Sequence, residues 1–165
     1  MRLVAAAICA SALFVSACGS SLSVEEASWD ELRAEADYAS AEAPLVYYFW
    51  APWSQESVEL APTVAELAFE LEGSARFVLV CVDDDVAEAR RASKRMRPGE
   101  GDWLPTRIVP VDFDRMLAEF GVSEPPALAI FAGGISPAVL DGPEMTPAGV
   151  YDVLARELKP EPGAE

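Results

Sequence analysis

The sequence lacks histidine altogether and has only three cysteines among its 165 residues. Without histidine, the chain cannot build a Ser–His–Asp or Cys–His catalytic site, a histidine general base or a zinc motif that contains histidine. Basic residues are also scarce, since 12 Lys and Arg stand against 28 Asp and Glu and give a formal net charge of −16. A surface of this sign repels phosphate groups, so nucleic-acid partners are disfavoured.

Residues 1–17 have the features of a secretory signal, because an early cation, Arg2, precedes an uncharged apolar stretch that is too short to span a bilayer. The stretch runs into VSAC at 15–18, which resembles the lipobox of bacterial lipoproteins. The resemblance implies cleavage before Cys18 and acylation of its sulfur, so that membrane lipid anchors the chain. No aspartate follows Cys18, which implies outer-membrane retention, facing the periplasm, in a Gram-negative cell. The alternative is an ordinary signal peptide that contains Cys18 by chance.

Removal of this leader leaves too few cysteines for an internal disulfide. Cys9 would be lost with the leader and Cys18 would be acylated, so Cys81 would be the one remaining thiol. Cys81 lies in the middle of an apolar run, and we therefore expect an inert core cysteine there.

Local signals predict a single α/β domain over residues 28–158, between a lipidated tether at 18–27 and a disordered tail at 159–165. The sequence of Ser28–Glu31 fits a capping box that starts a helix ending near Tyr38. Apolar, β-prone runs predict strands at 45–50, 76–82, 107–111, 127–132 and, after a Gly133-Gly134 turn, 135–140. Helices are predicted after Ser54, after Asp85, after Asp112 or Asp114, and after Thr146. This order predicts a mixed sheet in which parallel strands come first and an antiparallel hairpin comes last.

The predicted helix after Ser54 carries an apolar stripe and an internal proline, Pro62. The stripe begins at Val58, Gly73 ends the helix, and Pro62 is expected to kink it. The acidic triplet Asp83–Asp85 precedes the next helix. Helix capping is the favoured interpretation of the triplet, because a cation site would need further oxygen ligands at loop spacing.

The segment FWAPWSQES at 49–57 resembles the active-site segment of thioredoxins, with serine at both positions where the redox cysteines would stand, Ser54 and Ser57. Phe120-Gly121-Val122 followed by Pro126 resembles a second segment of that family, and Phe131–Gly134 resembles its hairpin. The resemblance covers about residues 28–158 and implies a thioredoxin-like fold, a central mixed sheet flanked by helices. The extra length between Asp83 and Gly121 resembles the insertion of membrane-anchored thioredoxin-like reductases.

Thiol–disulfide exchange needs a thiolate and a second thiol that resolves the mixed disulfide. Ser54 and Ser57 supply neither, and a serine hydroxyl is activated only by a neighbouring base. The resemblance also implies a buried carboxylate two residues before the motif tryptophan, where this chain has Tyr48, whose reference pKa is about 10. We therefore expect no catalytic residue, with Ser54 and Ser57 as degenerate active-site positions, and no cofactor or metal.

Two surfaces are candidates for binding. The resemblance places Pro126 at the family's cis-proline position and predicts a peptide groove; its residues are Trp50, Trp53, Pro125 and Pro126. Trp53 is the favoured contact in that groove, because Trp50 is expected to belong partly to the core. Alternatively, Pro126 only maintains the turn geometry. Five cations on one predicted helix could dock to anionic lipid or to an acidic partner; they are Arg90, Arg91, Lys94, Arg95 and Arg97. A solvated helix with charge-compensating neighbours is the favoured interpretation of that cluster.

Three functions remain open at this point. The favoured hypothesis is a redox-inactive, lipid-anchored envelope protein that binds or scaffolds an unidentified envelope protein or peptide. The second is an atypical thiol–disulfide oxidoreductase, working in cell redox homeostasis or cytochrome maturation, with a partner's cysteines or Cys81. The third is a structural lipoprotein within a larger complex.

Overall fold

The computed structural model describes residues 24–40, 42–95, 104–133 and 136–158. The predictions for the leader at 1–17, for Cys18, for Arg97 and for the tail at 159–165 lie outside these residues. Within the described part, the strands are β1 Val24–Glu26, β2 Leu45–Trp50, β3 Arg76–Val82, β4 Thr106–Val109, β5 Ala127–Phe131 and β6 Ala138–Asp141. The helices are α1 Trp29–Asp37, α2 Gln55–Glu70, α3 Val86–Arg95, α4 Phe113–Phe120 and α5 Pro147–Glu157, with a 3₁₀ turn at Gly142–Glu144.

The strands form one six-stranded sheet in the order β1-β4-β3-β2-β5-β6. Strands β1 to β4 pair in parallel, whereas β5 runs antiparallel to both β2 and β6. This arrangement confirms the predicted mixed sheet with an antiparallel hairpin at its end.

Strand β2 lies inside the sheet, and all six of its residues are buried because helices cover both faces. Successive side chains on a strand point to opposite faces. Val46, Tyr48 and Trp50 pack in one cluster with α2, α3 and α5, and Leu45, Tyr47 and Phe49 pack in a second cluster with α1 and α4. The absence of polar alternation in this strand follows from its double burial.

The start of α1 and the end of α4 agree with the predicted caps, whereas α2 ends at Glu70 and not at the predicted Gly73. The Ser28 amide donates to Glu31 Oε2 at 2.7 Å, and the Glu31 amide donates to Ser28 Oγ at 3.2 Å, which confirms the capping box. Gly121 ends α4 in the left-handed conformation with φ of 71°. Pro62 lies inside α2 as predicted, but the prediction that Val58 faces the core is wrong, because its side chain is 38% exposed.

The edge strand β1 corrects the predicted tether, because Val24–Glu26, which the prediction assigns to it, belong to the sheet. Three residues of mixed polarity give no strand signal of their own. Distant side chains hold them in place, as Arg90 Nη1 donates to the Val24 carbonyl at 2.7 Å and Arg107 Nη1 lies 3.0 Å from Glu25 Oε2. The fourth strand is also shifted relative to its prediction and runs from Thr106 to Val109.

Candidate functional site

The site predicted from the sequence begins where β2 ends. The Ser54 amide donates to the Ala51 carbonyl at 3.1 Å, closing a turn that leads directly into α2. Ser54 is the N-cap of that helix, and its Oγ accepts the Ser57 amide at 3.2 Å. The two serines therefore lie together in the first helical turn, as the sequence predicted.

Ser57 is completely buried, and its hydroxyl has no hydrogen-bond partner among the described residues. The buried Tyr48 hydroxyl donates to the Ser57 carbonyl at 2.7 Å. Burial raises the pKa of Tyr48, so the phenol stays protonated near neutral pH and cannot act as a base. The site thus holds two hydroxyl groups and a phenol, and nothing among these groups generates a nucleophile.

Cys81 lies on β3, paired in register with Trp50 of β2. Its side chain is fully buried, and it is the one free cysteine in the part of the chain that the structure describes. Burial, together with the negative charge of Asp83, raises the pKa of the Cys81 thiol. The predicted core position is confirmed, and the thiol is closed to solvent.

The Pro125–Pro126 segment lies beside the Ala51–Ser54 turn. Strand β5 pairs with β2 up to Ala127 opposite Phe49, and one further step in this register places Pro126 opposite Trp50. The Pro125-Pro126 peptide bond is cis. The structure therefore brings the proline loop and the serine turn together at one end of the sheet.

The predicted groove needs correction at three of its four residues. Trp50 has no exposed surface, and its indole nitrogen has no partner among the described residues, so this side chain belongs to the core. Pro125 and Pro126 are also buried, backbone included. Trp53 alone presents its side chain, with 55% of it exposed.

The sequence analysis missed the aromatic neighbour of Trp53. The Phe113 ring lies edge-on to it, with centroids 6.4 Å apart and planes at 81°, and is itself 43% exposed. Phe113 is the first residue of α4, directly after the N-cap Asp112, whose Oδ1 accepts the Arg115 amide at 3.0 Å. The sequence signal that could have identified Phe113 is a large aromatic residue placed between the capping Asp112 and the apolar residues of the helix that follows.

Three arginines of helix α3 form ion pairs with acidic side chains of α3 and β1. Arg90 contacts Glu26 on β1, and both Arg91 and Arg95 contact Glu88 at 2.9 and 2.8 Å. Lys94 is exposed, and Arg97 lies outside the described residues. These contacts favour the solvated, charge-compensated helix over the predicted docking patch.

Asp85 Oδ1 accepts the Glu88 amide at 2.9 Å, which confirms the capping interpretation of the acidic triplet. Over 24–40, 42–95, 104–133 and 136–158, no group of three or more His, Cys, Asp or Glu side chains is placed to hold a metal ion. None of the helices within those same ranges is long and apolar enough to cross a membrane.

No family model matches this sequence, and no curated protein matches it significantly. Solved structures do match. MTB dsbF, in its mixed oxidized and reduced forms, has 27% sequence identity and a TM-score of 0.53, covering 71% of this chain and 79% of its own. A secreted Mycobacterium tuberculosis disulfide oxidoreductase has 17% identity and a TM-score of 0.54, covering 71% and 83%. An exposed lipoprotein thioredoxin from Streptococcus pneumoniae has 17% identity and a TM-score of 0.54, covering 75% and 89%.

These likenesses, with the sheet order above, identify the fold as thioredoxin-like, a mixed six-stranded sheet flanked in the described part by five helices.

Proposed function

We propose that this protein is a lipid-anchored envelope protein whose thioredoxin-like domain binds a peptide or protein segment without dithiol chemistry. The observation that carries the proposal is the composition of the first turn of α2. Two hydroxyl side chains, Ser54 and Ser57, stand at the start of the helix, next to a tryptophan that is 55% exposed.

The hydroxyl pair supports the redox-inactive part of the proposal. A serine oxygen forms no stable bond that could shuttle two electrons as a disulfide does. The alternative route, through Cys81, requires a partner's sulfur to reach a thiol with no exposed surface. A buried thiol whose pKa is raised reacts slowly even with small reagents, so the oxidoreductase hypothesis is the less well supported one.

The exposed aromatic pair supports the binding part of the proposal. Trp53 and Phe113 contact each other at the surface, although large aromatic side chains usually bury most of their area. Exposed aromatic residues beside a backbone loop are common anchors in recognition surfaces. The adjacent Pro125–Pro126 loop is buried, so Trp53 and Phe113 supply the accessible surface of the proposed site.

The anchoring part of the proposal rests on the sequence alone. Cleavage before Cys18 would leave a short polar segment between the acylated residue and Val24, where β1 begins. The domain would then lie close to the membrane surface, and a partner would belong to the same compartment.

The test compares Trp53→Ala with Tyr151→Ala, a matched control at an aromatic residue of similar exposure on α5. The full membrane-anchored chain is purified from solubilised envelope, and the proteins that accompany it are quantified by mass spectrometry. We expect a specific set to be lost in Trp53→Ala and in Phe113→Ala but retained in Tyr151→Ala. Insulin reduction should be absent in all four proteins. Equal retention in all variants would contradict binding through this aromatic pair.

A further inference from the structure

The exposed aromatic pair lies at an acidic end of the sheet. Strands β2, β3 and β4 are parallel neighbours, so their carboxyl ends meet at one edge. Six acidic residues follow these strand ends, and we call them the acidic rim: Glu56, Asp83, Asp84, Asp85, Asp112 and Asp114.

Loop contacts and chain adjacency place the rim next to the aromatic pair. Asp84 Oδ1 accepts the Val111 amide at 2.9 Å, which ties the loop after β3 to the loop after β4. Asp112 and Asp114 flank Phe113 in the chain, and the Phe113 ring contacts Trp53. On the other side, Glu56 is exposed in the first turn of α2, three residues after Trp53.

Within the described residues, no carboxylate of the rim forms an ion pair with Lys or Arg. Ion pairs between described residues engage acidic side chains elsewhere, such as Glu88 with Arg91 and Asp30 with Arg115, and none of these pairs includes a residue of the rim. Several rim carboxylates accept backbone amides instead, as Asp85 does from Glu88. The rim therefore concentrates uncompensated negative charge around two exposed aromatic rings.

We infer that the segment bound at Trp53 and Phe113 is a cationic peptide stretch of another protein, in which Lys or Arg residues flank an apolar side chain. The apolar side chain packs on the aromatic pair, and the flanking cations lie against the acidic rim. A guanidinium group is additionally attracted to an indole ring. This inference rests on the proposed function, because it specifies what the proposed binding site accepts.

The experiment measures fluorescence anisotropy of short labelled peptides of equal length against the full chain in detergent. Three peptides share one apolar centre and carry Lys, Glu or Ser flanks, and a fourth has Lys flanks around a Ser centre. We expect the Lys-flanked apolar peptide to bind most tightly and to lose affinity as salt screens the charges.

The double variant Glu56→Gln/Asp114→Asn removes two rim charges, and Glu66→Gln/Glu72→Gln removes two exposed charges toward the other end of α2. The first variant should weaken the Lys-flanked peptide about two- to fivefold per neutralised charge at low salt. The second should leave its affinity unchanged. Equal weakening by both variants would show that the overall charge of the molecule, and not the rim, attracts the peptide, and would overturn the inference.

If peptide binding requires Trp53 but the affinity is the same with Lys, Glu or Ser flanks, the cationic specificity is overturned and the proposed function stands. Cationic binding that survives both Trp53→Ala and Phe113→Ala would contradict the inference and the proposed binding site together. The two failures are therefore distinguishable.

Discussion

The two serines of the α2 turn should respond to alanine substitution in opposite ways. Ser54 Oγ accepts the Ser57 amide and caps the helix. Ser57 Oγ is buried and has no partner among the described residues. The same chemical change, Ser→Ala, therefore removes a hydrogen bond at one position and an unsatisfied hydroxyl at the other.

The magnitudes follow from these two environments. Loss of a serine N-cap destabilises a protein by about 1 kcal/mol, and Ser54→Ala should do so here. A buried hydroxyl without a partner costs about 1–3 kcal/mol, so its removal at Ser57 should stabilise the fold. The small space left behind offsets part of that gain, and we expect Ser57→Ala to lie between neutral and about 1 kcal/mol more stable.

Urea unfolding followed by circular dichroism measures both variants against the unsubstituted chain. An unchanged slope of the unfolding free energy against urea concentration would show that the variant changes stability and not the surface exposed on unfolding. Thermal midpoints should separate by roughly 2–4 °C for each kcal/mol between the variants. Destabilisation by Ser57→Ala of about 1 kcal/mol or more would refute the reasoning, because the hydroxyl would then be making a favourable bond. An unchanged Ser54→Ala protein would refute the role assigned to the cap.

Two further predictions concern sulfur. After iodoacetamide treatment, mass spectrometry should find Cys81 unmodified in the native protein and modified in urea, because burial closes the thiol to solvent and raises its pKa. Rapid labelling of the native protein would support the hypothesis of an oxidoreductase that works through Cys81. The double variant Ser54→Cys/Ser57→Cys should form an internal disulfide and acquire insulin-reducing activity that either single variant lacks, since both positions lie in the first turn of α2; a double variant that stays reduced under air would show that this turn cannot accommodate the bond.

Much of the fold could be predicted because its signals are local. Ser28 and Glu31 form their capping box within four residues, and the apolar run of β2 identifies a strand that is covered on both sides. Edge strand β1 could not be predicted, because its register depends on arginines that lie more than sixty residues away in the chain. Such features depend on burial, ion pairing and contacts between distant segments, and a local sequence pattern does not show these.

The same distinction between local signals and distant contacts applies to the residues of the site. The resemblance predicted Ser54 and Ser57 around the start of a helix and Pro126 before a strand, and the structure has them at the start of α2 and directly before β5. The sequence also favoured Trp53 over Trp50 as the accessible tryptophan, in agreement with their exposure. Trp50 is the last residue of a doubly covered strand and is buried, whereas Trp53 belongs to the turn beyond it. Phe113 entered the site only through a contact across two loops.

The exchange of sulfur for oxygen has unequal consequences at the two positions. Serine is among the best N-cap residues, so position 54 has a structural role that is independent of redox chemistry. Position 57 has no such role, because its oxygen is buried without a partner among the described residues. The exposed Trp53–Phe113 pair does not contribute to stability as buried rings would, since burial removes apolar surface from water. The proposed ligand would cover these rings inside the acidic rim, and the peptide experiment tests that proposal directly.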